Sequence, residues 1–170
     1  MGEIEAGKST ILNKAMTELK LTTCGFKTLP LLKEGQVTGF YIESLGEKKR
    51  GVKKSDKLIG EKIGPNKCKP ITKTFETKGV EILKNSLQTE EGIIVMDELG
   101  FLERGAVKFQ QFVFRCCAAE RIVAGVIKED SNPFLDKLRR REDVKIIRVT
   151  KKNRNRQYKK CKNYLRKLLS

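Results

Sequence analysis

Gly92-Ile93-Ile94-Val95-Met96-Asp97-Glu98 decides how this chain folds. Its apolar run is continuous rather than alternating and ends in two carboxylates, which predicts a strand buried on both faces of a parallel sheet. Residues of helical spacing flank it. Phe75, Gly79, Ile82, Leu83 and Leu87 stripe the segment before it, and Ala106, Phe109, Val113, Cys116 and Ala119 the segment after. The pattern then repeats. Residues 121–127 read as a second buried strand, Pro133 opens a short helix through Leu135 and Leu138, and Val144-Lys145-Ile146-Ile147-Arg148-Val149 reads as a last strand. Tyr158, Cys161, Leu165 and Leu168 stripe a final helix. Such alternation predicts an α/β domain of three layers with a mainly parallel sheet and right-handed crossovers. Ligands in such sheets bind at the carboxyl ends of the strands, where Asp97 and Glu98 stand.

The start of the chain supplies what those acids need. Met1-Gly2-Glu3-Ile4-Glu5-Ala6-Gly7-Lys8-Ser9-Thr10 contains G-x-x-x-x-G-K-[ST], a loop whose glycines let the backbone curl around phosphates. In that reading Gly2 and Gly7 make the turn, and N–H groups from Glu3, Ile4, Glu5, Ala6, Gly7, Lys8, Ser9 and Thr10 cradle the phosphates. Lys8 reaches the β- and γ-phosphates, and Ser9 binds Mg²⁺ with Asp97 behind it. Glu98 polarises the attacking water, because phosphoryl transfer needs charge neutralisation and a positioned nucleophile more than covalent chemistry. Arg139, Arg140 and Arg154 are candidates for charge at the transition state. Ile11, Leu12, Ala15, Met16 and Leu19 carry a helix away from the loop. A strand needs about five residues, so the first central strand, which would deliver the chain into the loop, is expected to be missing ahead of Met1.

Between these regions, residues 24–32 and 37–44 flank Lys33-Glu34-Gly35-Gln36 and predict an antiparallel hairpin. Lys48-Lys49-Arg50-Gly51-Val52-Lys53-Lys54 reads as a solvated charged loop. Residues 55–73, broken by Pro65 and Pro70, read as an irregular excursion.

The chain of 170 residues has 37 Lys and Arg against 21 Asp and Glu, and 20 of its residues, 151–170, hold nine of the cations and no acid. That balance favours polyanionic ligands, nucleotides and nucleic acids among them. With no histidine, Ser-His-Asp and Cys-His chemistry and His-ligated metals are excluded. Five scattered cysteines make neither a zinc site nor a disulfide framework, and the composition and hydropathy predict a cytoplasmic protein with no membrane partner.

Gly2 to Thr10, Gly25-Phe26-Lys27-Thr28, Gly39-Phe40, Phe75-Glu76, Asp97-Glu98-Leu99-Gly100 with Glu103, Asn132-Pro133 and Asn153-Arg154 occur in an order that resembles the thermophilic or cancer-related nucleoside-triphosphatase family. The resemblance implies a P-loop NTPase domain over residues 1–150, with 151–170 a basic helix packed on it or extending from it. It also implies Mg²⁺-dependent hydrolysis of ATP, GTP and other nucleoside triphosphates to the diphosphate and phosphate, with Lys8, Glu98 and Arg154 catalytic. Two other readings share these residues: a nucleotide-gated module that binds RNA or DNA through the basic tail, with Tyr158 and Tyr164 stacking on bases, and a nucleotide-kinase-like phosphotransferase.

Overall fold

A computed structural model describes residues 1–2, 6–46, 53–65 and 67–169. Glu3, Ile4 and Glu5 of the loop, and residues 48–52 of the charged loop, lie outside the described residues.

The apolar run from Ile93 forms the strand around which the described sheet is built. β5 (Ile93–Leu99) lies between β1 (Thr23–Lys33) and β6 (Val123–Ile127), parallel to both. Its side chains alternate between two cores. Ile94 and Met96 face one cluster with Phe26, Leu83, Phe109 and Leu135, while Ile93 and Val95 face another with Leu12, Ala15, Met16 and Leu165. A strand with helices on both faces has no polar side, hence the continuous apolar run.

Three layers result. On one face lie α2 (Thr72–Thr74), a π-helical turn (Phe75–Gly79) and α3 (Val80–Gln88), continuous over residues 72–88, together with α4 (Val107–Ala118). Phe109 sits at the centre of this layer, its ring 5.6 Å from that of Phe26 and 5.0 Å from that of Phe75. Gly79 lets α4 approach, since a Cβ there would lie 2.7 Å from the Phe109 ring. On the other face α1 (Lys8–Glu18) packs against the last helix of the chain, α6 (Arg154–Leu169). The short helix α5 (Pro133–Arg139) is capped by Asn132, whose Oδ1 accepts the Leu135 N–H at 3.0 Å.

The sheet is mixed rather than mainly parallel, in the order β4-β3-β2-β1-β5-β6. β2 (Gln36–Leu45) pairs antiparallel with β1. Glu34 and Gly35, both at positive φ, make the tight turn between them, as hairpin twist requires. The predicted irregular excursion is instead a second hairpin, β3 (Leu58–Gly64) and β4 (Lys67–Pro70), which extends the antiparallel edge. Three antiparallel pairings to two parallel ones overturn the expected sheet type.

Residues 144–149, predicted as a last strand, form no ladder. Where a neighbour would pair with them stand Met1 and Gly2. The Met1 nitrogen donates to the Ile147 carbonyl at 3.0 Å and the Val149 N–H to the Met1 carbonyl at 2.8 Å, while Gly2 bridges in parallel to Lys128. These contacts pair residues 147 and 149 without building a ladder. Behind them a cleft of about 440 Å³ runs between β6 and residues 144–149, lined by Leu12, Val123, Gly125, Ile146, Ile147 and Leu165 among others.

Candidate active site

At the carboxyl edge of the parallel strands Lys8, Ser9, Asp97 and Glu98 come together. Gly7 takes the left-handed conformation at φ 83° and starts α1, so the chain turns from loop to helix where a Cβ would strain it. Gly2 sits so close to residue 149 that a Cβ there would lie 2.0 Å from the Val149 carbonyl oxygen. These two glycines fix the ends of the loop.

Lys8, only 8% exposed, turns its ammonium back across the loop to donate to the Gly2 carbonyl at 2.7 Å. A cation bridging the two ends of a phosphate loop stands where anionic oxygens would be met. Ser9, next on α1, donates its hydroxyl to Asp97 Oδ1 at 2.7 Å, tying the helix to the carboxyl-terminal half of β5. Asp97 is buried, and desolvation raises its carboxyl above the ordinary aspartate range, opposed by the Ser9 hydrogen bond. A buried, hydroxyl-bonded carboxylate that needs positive charge is a hard-oxygen ligand pair suited to Mg²⁺, which takes one or two protein ligands and the rest from phosphate and water. Among the described residues no group of three or more Cys, Asp or Glu could hold a metal without such help.

Glu98 is one residue on and more open. Its carboxylate meets the Lys128 ammonium at 2.9 Å, and each of these side chains is 25% exposed. Lys128 follows β6 and was not predicted by sequence reasoning. Glu103 lies beneath the site, 2% exposed, with Oε2 accepting the Gly100 N–H at 2.9 Å. Burial pushes its carboxyl up to about 7. Asn132, also buried, donates to the Gly100 carbonyl at 3.3 Å, so both polar groups of that residue are held.

The three arginines divide. Arg139 spends its guanidinium on the fold: it donates to the carbonyls of Lys128 at 2.8 Å and Asp130 at 2.6 Å, and to Asp136 Oδ1 at 2.8 Å. Arg140 is exposed at the end of α5, and Arg154 is exposed as the first residue of α6. In the basic tail, Tyr158 lies under the Lys14 ammonium, 4.7 Å from the ring centroid, while Tyr164 is exposed. Tyr158 therefore contributes to packing against α1.

A glycine-bounded loop leading into a helix, with its lysine folded over the loop and its serine bonded to an acid in the carboxyl-terminal half of an adjoining parallel strand, defines a phosphate-loop protein of the nucleotide-binding α/β class. The chain belongs to the NTPase family, whose sequence model matches residues 1–161. It is 31% identical over 154 residues to nucleoside-triphosphatase THEP1 of Thermotoga sp. (strain RQ2), covering 91% of this chain and 86% of that one. It is 30% identical over 167 residues to the cancer-related nucleoside-triphosphatase homolog of Bos taurus, covering 88% and 85%. The solution structure of a human cancer-related nucleoside triphosphatase superposes with a TM-score of 0.72 at 25% identity, covering 96% of this chain and 94% of that one.

Proposed function

We propose that this protein hydrolyses nucleoside 5′-triphosphates such as ATP and GTP to the diphosphate and phosphate with Mg²⁺. The observation that carries the reading is the Ser9–Asp97 contact at 2.7 Å, which joins the phosphate loop to the acid of the neighbouring strand. Backbone N–H groups from Gly2 to Thr10, Glu3, Ile4 and Glu5 included, bind the phosphates. Lys8 neutralises the β- and γ-oxygens, and Ser9 and Asp97 hold the metal. Bound there, Mg²⁺ supplies charge that offsets the electrons moving to the leaving oxygen. Glu98 accepts a hydrogen bond from the attacking water and aligns it with the γ-phosphorus. Arg154, exposed at the start of α6, supplies cationic charge to the transition state.

Residues 1–150 carry the phosphate loop and both acids, and 151–170 pack α6 on α1 and bring Arg154. Met1 and Gly2 hold the loop's start between β6 and residues 144–149, Gly2 bridging to Lys128 and Met1 accepting the Val149 N–H. Five free thiols suit a reducing, cytoplasmic compartment.

The test is phosphate release from ATP and GTP with Mg²⁺ and no acceptor. Release that is lost on chelation and in Lys8→Ala supports hydrolysis. Nucleotide binding without release until an acceptor is added would instead make the protein a phosphotransferase.

A further inference from the structure

We propose that Lys128 is a positioning residue for hydrolysis, holding the Glu98 carboxylate in the place from which it aligns water. The inference rests on the role given to Glu98 above.

An ion pair between two partly exposed side chains is by itself a weak and mobile contact. This one is restrained at each point of the lysine. Its backbone N–H donates to the Leu99 carbonyl at 2.9 Å, which ties it to the residue after Glu98. Its carbonyl accepts from Arg139 at 2.8 Å. Its backbone bridges to Gly2, so the lysine is built into the same corner as the start of the phosphate loop. The aliphatic stem crosses Gly100 so closely that a Cβ there would lie 2.9 Å from Lys128 Cδ. The Phe101 and Phe40 rings stand 5.6 Å and 5.9 Å from the ammonium, where their faces attract a cation. Backbone, stem and charge are therefore all directed, and the 2.9 Å contact to Glu98 is their end point.

The consequence is orientational. A glutamate has three rotatable bonds, and an unheld carboxylate samples positions that do not address the water. Misplacement by about 1 Å costs roughly 10²-fold in rate. Lys128 removes that freedom without touching nucleotide, so its loss lowers turnover and leaves binding intact.

The experiment compares Lys128→Met, Lys128→Arg, Glu98→Gln and the double variant Lys128→Met/Glu98→Gln. The readouts are steady-state phosphate release, fluorescent-nucleotide affinity and thermal stability. The expected result for Lys128→Met is a kcat lower by about 10- to 100-fold with KM and Kd within about threefold. Lys128→Arg recovers most of the rate, and the double variant is no slower than Glu98→Gln alone, as two groups acting as one unit require. Where Lys128→Met does not fold, Lys128→Gln, which keeps most of the stem, takes its place. A wild-type kcat in Lys128→Met overturns the inference. So does a double variant clearly slower than Glu98→Gln, which would make the lysine act on phosphate itself. Full activity in Glu98→Gln would instead fail the role assigned to the glutamate, and is thereby distinguished from failure of the lysine.

Discussion

Glu103 gives the sharpest physical forecast. It is 2% exposed, and burial carries its carboxyl from 4.5 up to about 7 against the pull of the Gly100 N–H and of Lys128, while Glu98 pushes the same way as burial. An acid whose folded value exceeds its unfolded one binds the proton more tightly in the native state. The native protein therefore incurs no penalty below pH 4.5 and a growing one as pH rises to about 7. At about 1.4 kcal/mol per pH unit the full penalty is about 3 kcal/mol. Glu103→Gln keeps an oxygen to accept the Gly100 N–H but cannot ionise. Urea unfolding of both proteins between pH 4.5 and 8 should show the glutamine variant gaining on the wild type with rising pH. The gain should level off above pH 7 at about 3 kcal/mol, equivalent to a Tm difference of about 6–12 °C for a domain of this size. Stability curves that run parallel across this range would refute the buried-acid argument, because every other titrating group is common to both proteins.

Ser9→Ala removes a hydroxyl bonded to a buried carboxylate at 2.7 Å. Affinity for Mg²⁺-nucleotide measured by isothermal calorimetry should fall by about 10- to 100-fold, with metal-free nucleotide little changed. Joining five β-branched apolar residues to Met1 should fill the cleft beside β6, and at about 1.5–3 kcal/mol per buried side chain, less the entropy of ordering, should raise Tm by about 5–10 °C. An unchanged Tm in differential scanning calorimetry would mean the cleft does not receive a strand.

The parts legible in the sequence were those where one residue type has one explanation. Ile93 to Met96 are buried on both faces of the sheet, and no polar residue could have interrupted them. Glu34-Gly35 adopts the positive φ that a hairpin turn demands. Asp97 in the carboxyl half of β5, which runs on to Leu99 past the expected end, and Ser9 after the loop lysine were legible for the same reason, and the two meet. The second hairpin was not, because only Ile59 and Gly60 of its residues are buried. Glu61, Lys62 and Ile63 face solvent, and their pattern is that of a loop. Residues 144–149 failed in the opposite way: their β-branched side chains suit a strand, yet a ladder is a property of the pairing and not of the segment, and here the backbone bonds of Ile147 and Val149 run to Met1. Lys128 was one lysine among many, and Glu103 stood in the motif with Asp97-Glu98-Leu99-Gly100 but without an assigned role. Lys128 meets Glu98 only because β6 brings it there, and Glu103, bonded to Gly100 three residues before it, is set apart by its burial, which the surrounding fold supplies.

The central claim is that Glu98 aligns water on a triphosphate held by the phosphate loop and Lys8, with Ser9 and Asp97 on its metal. It is tested most directly by single-turnover phosphate release from Mg²⁺-ATP in Glu98→Gln, with nucleotide affinity measured on the same preparation. The account predicts a rate lower by at least about 100-fold with affinity within about threefold of wild type. Release at the wild-type rate by a variant that still binds Mg²⁺-ATP would contradict it.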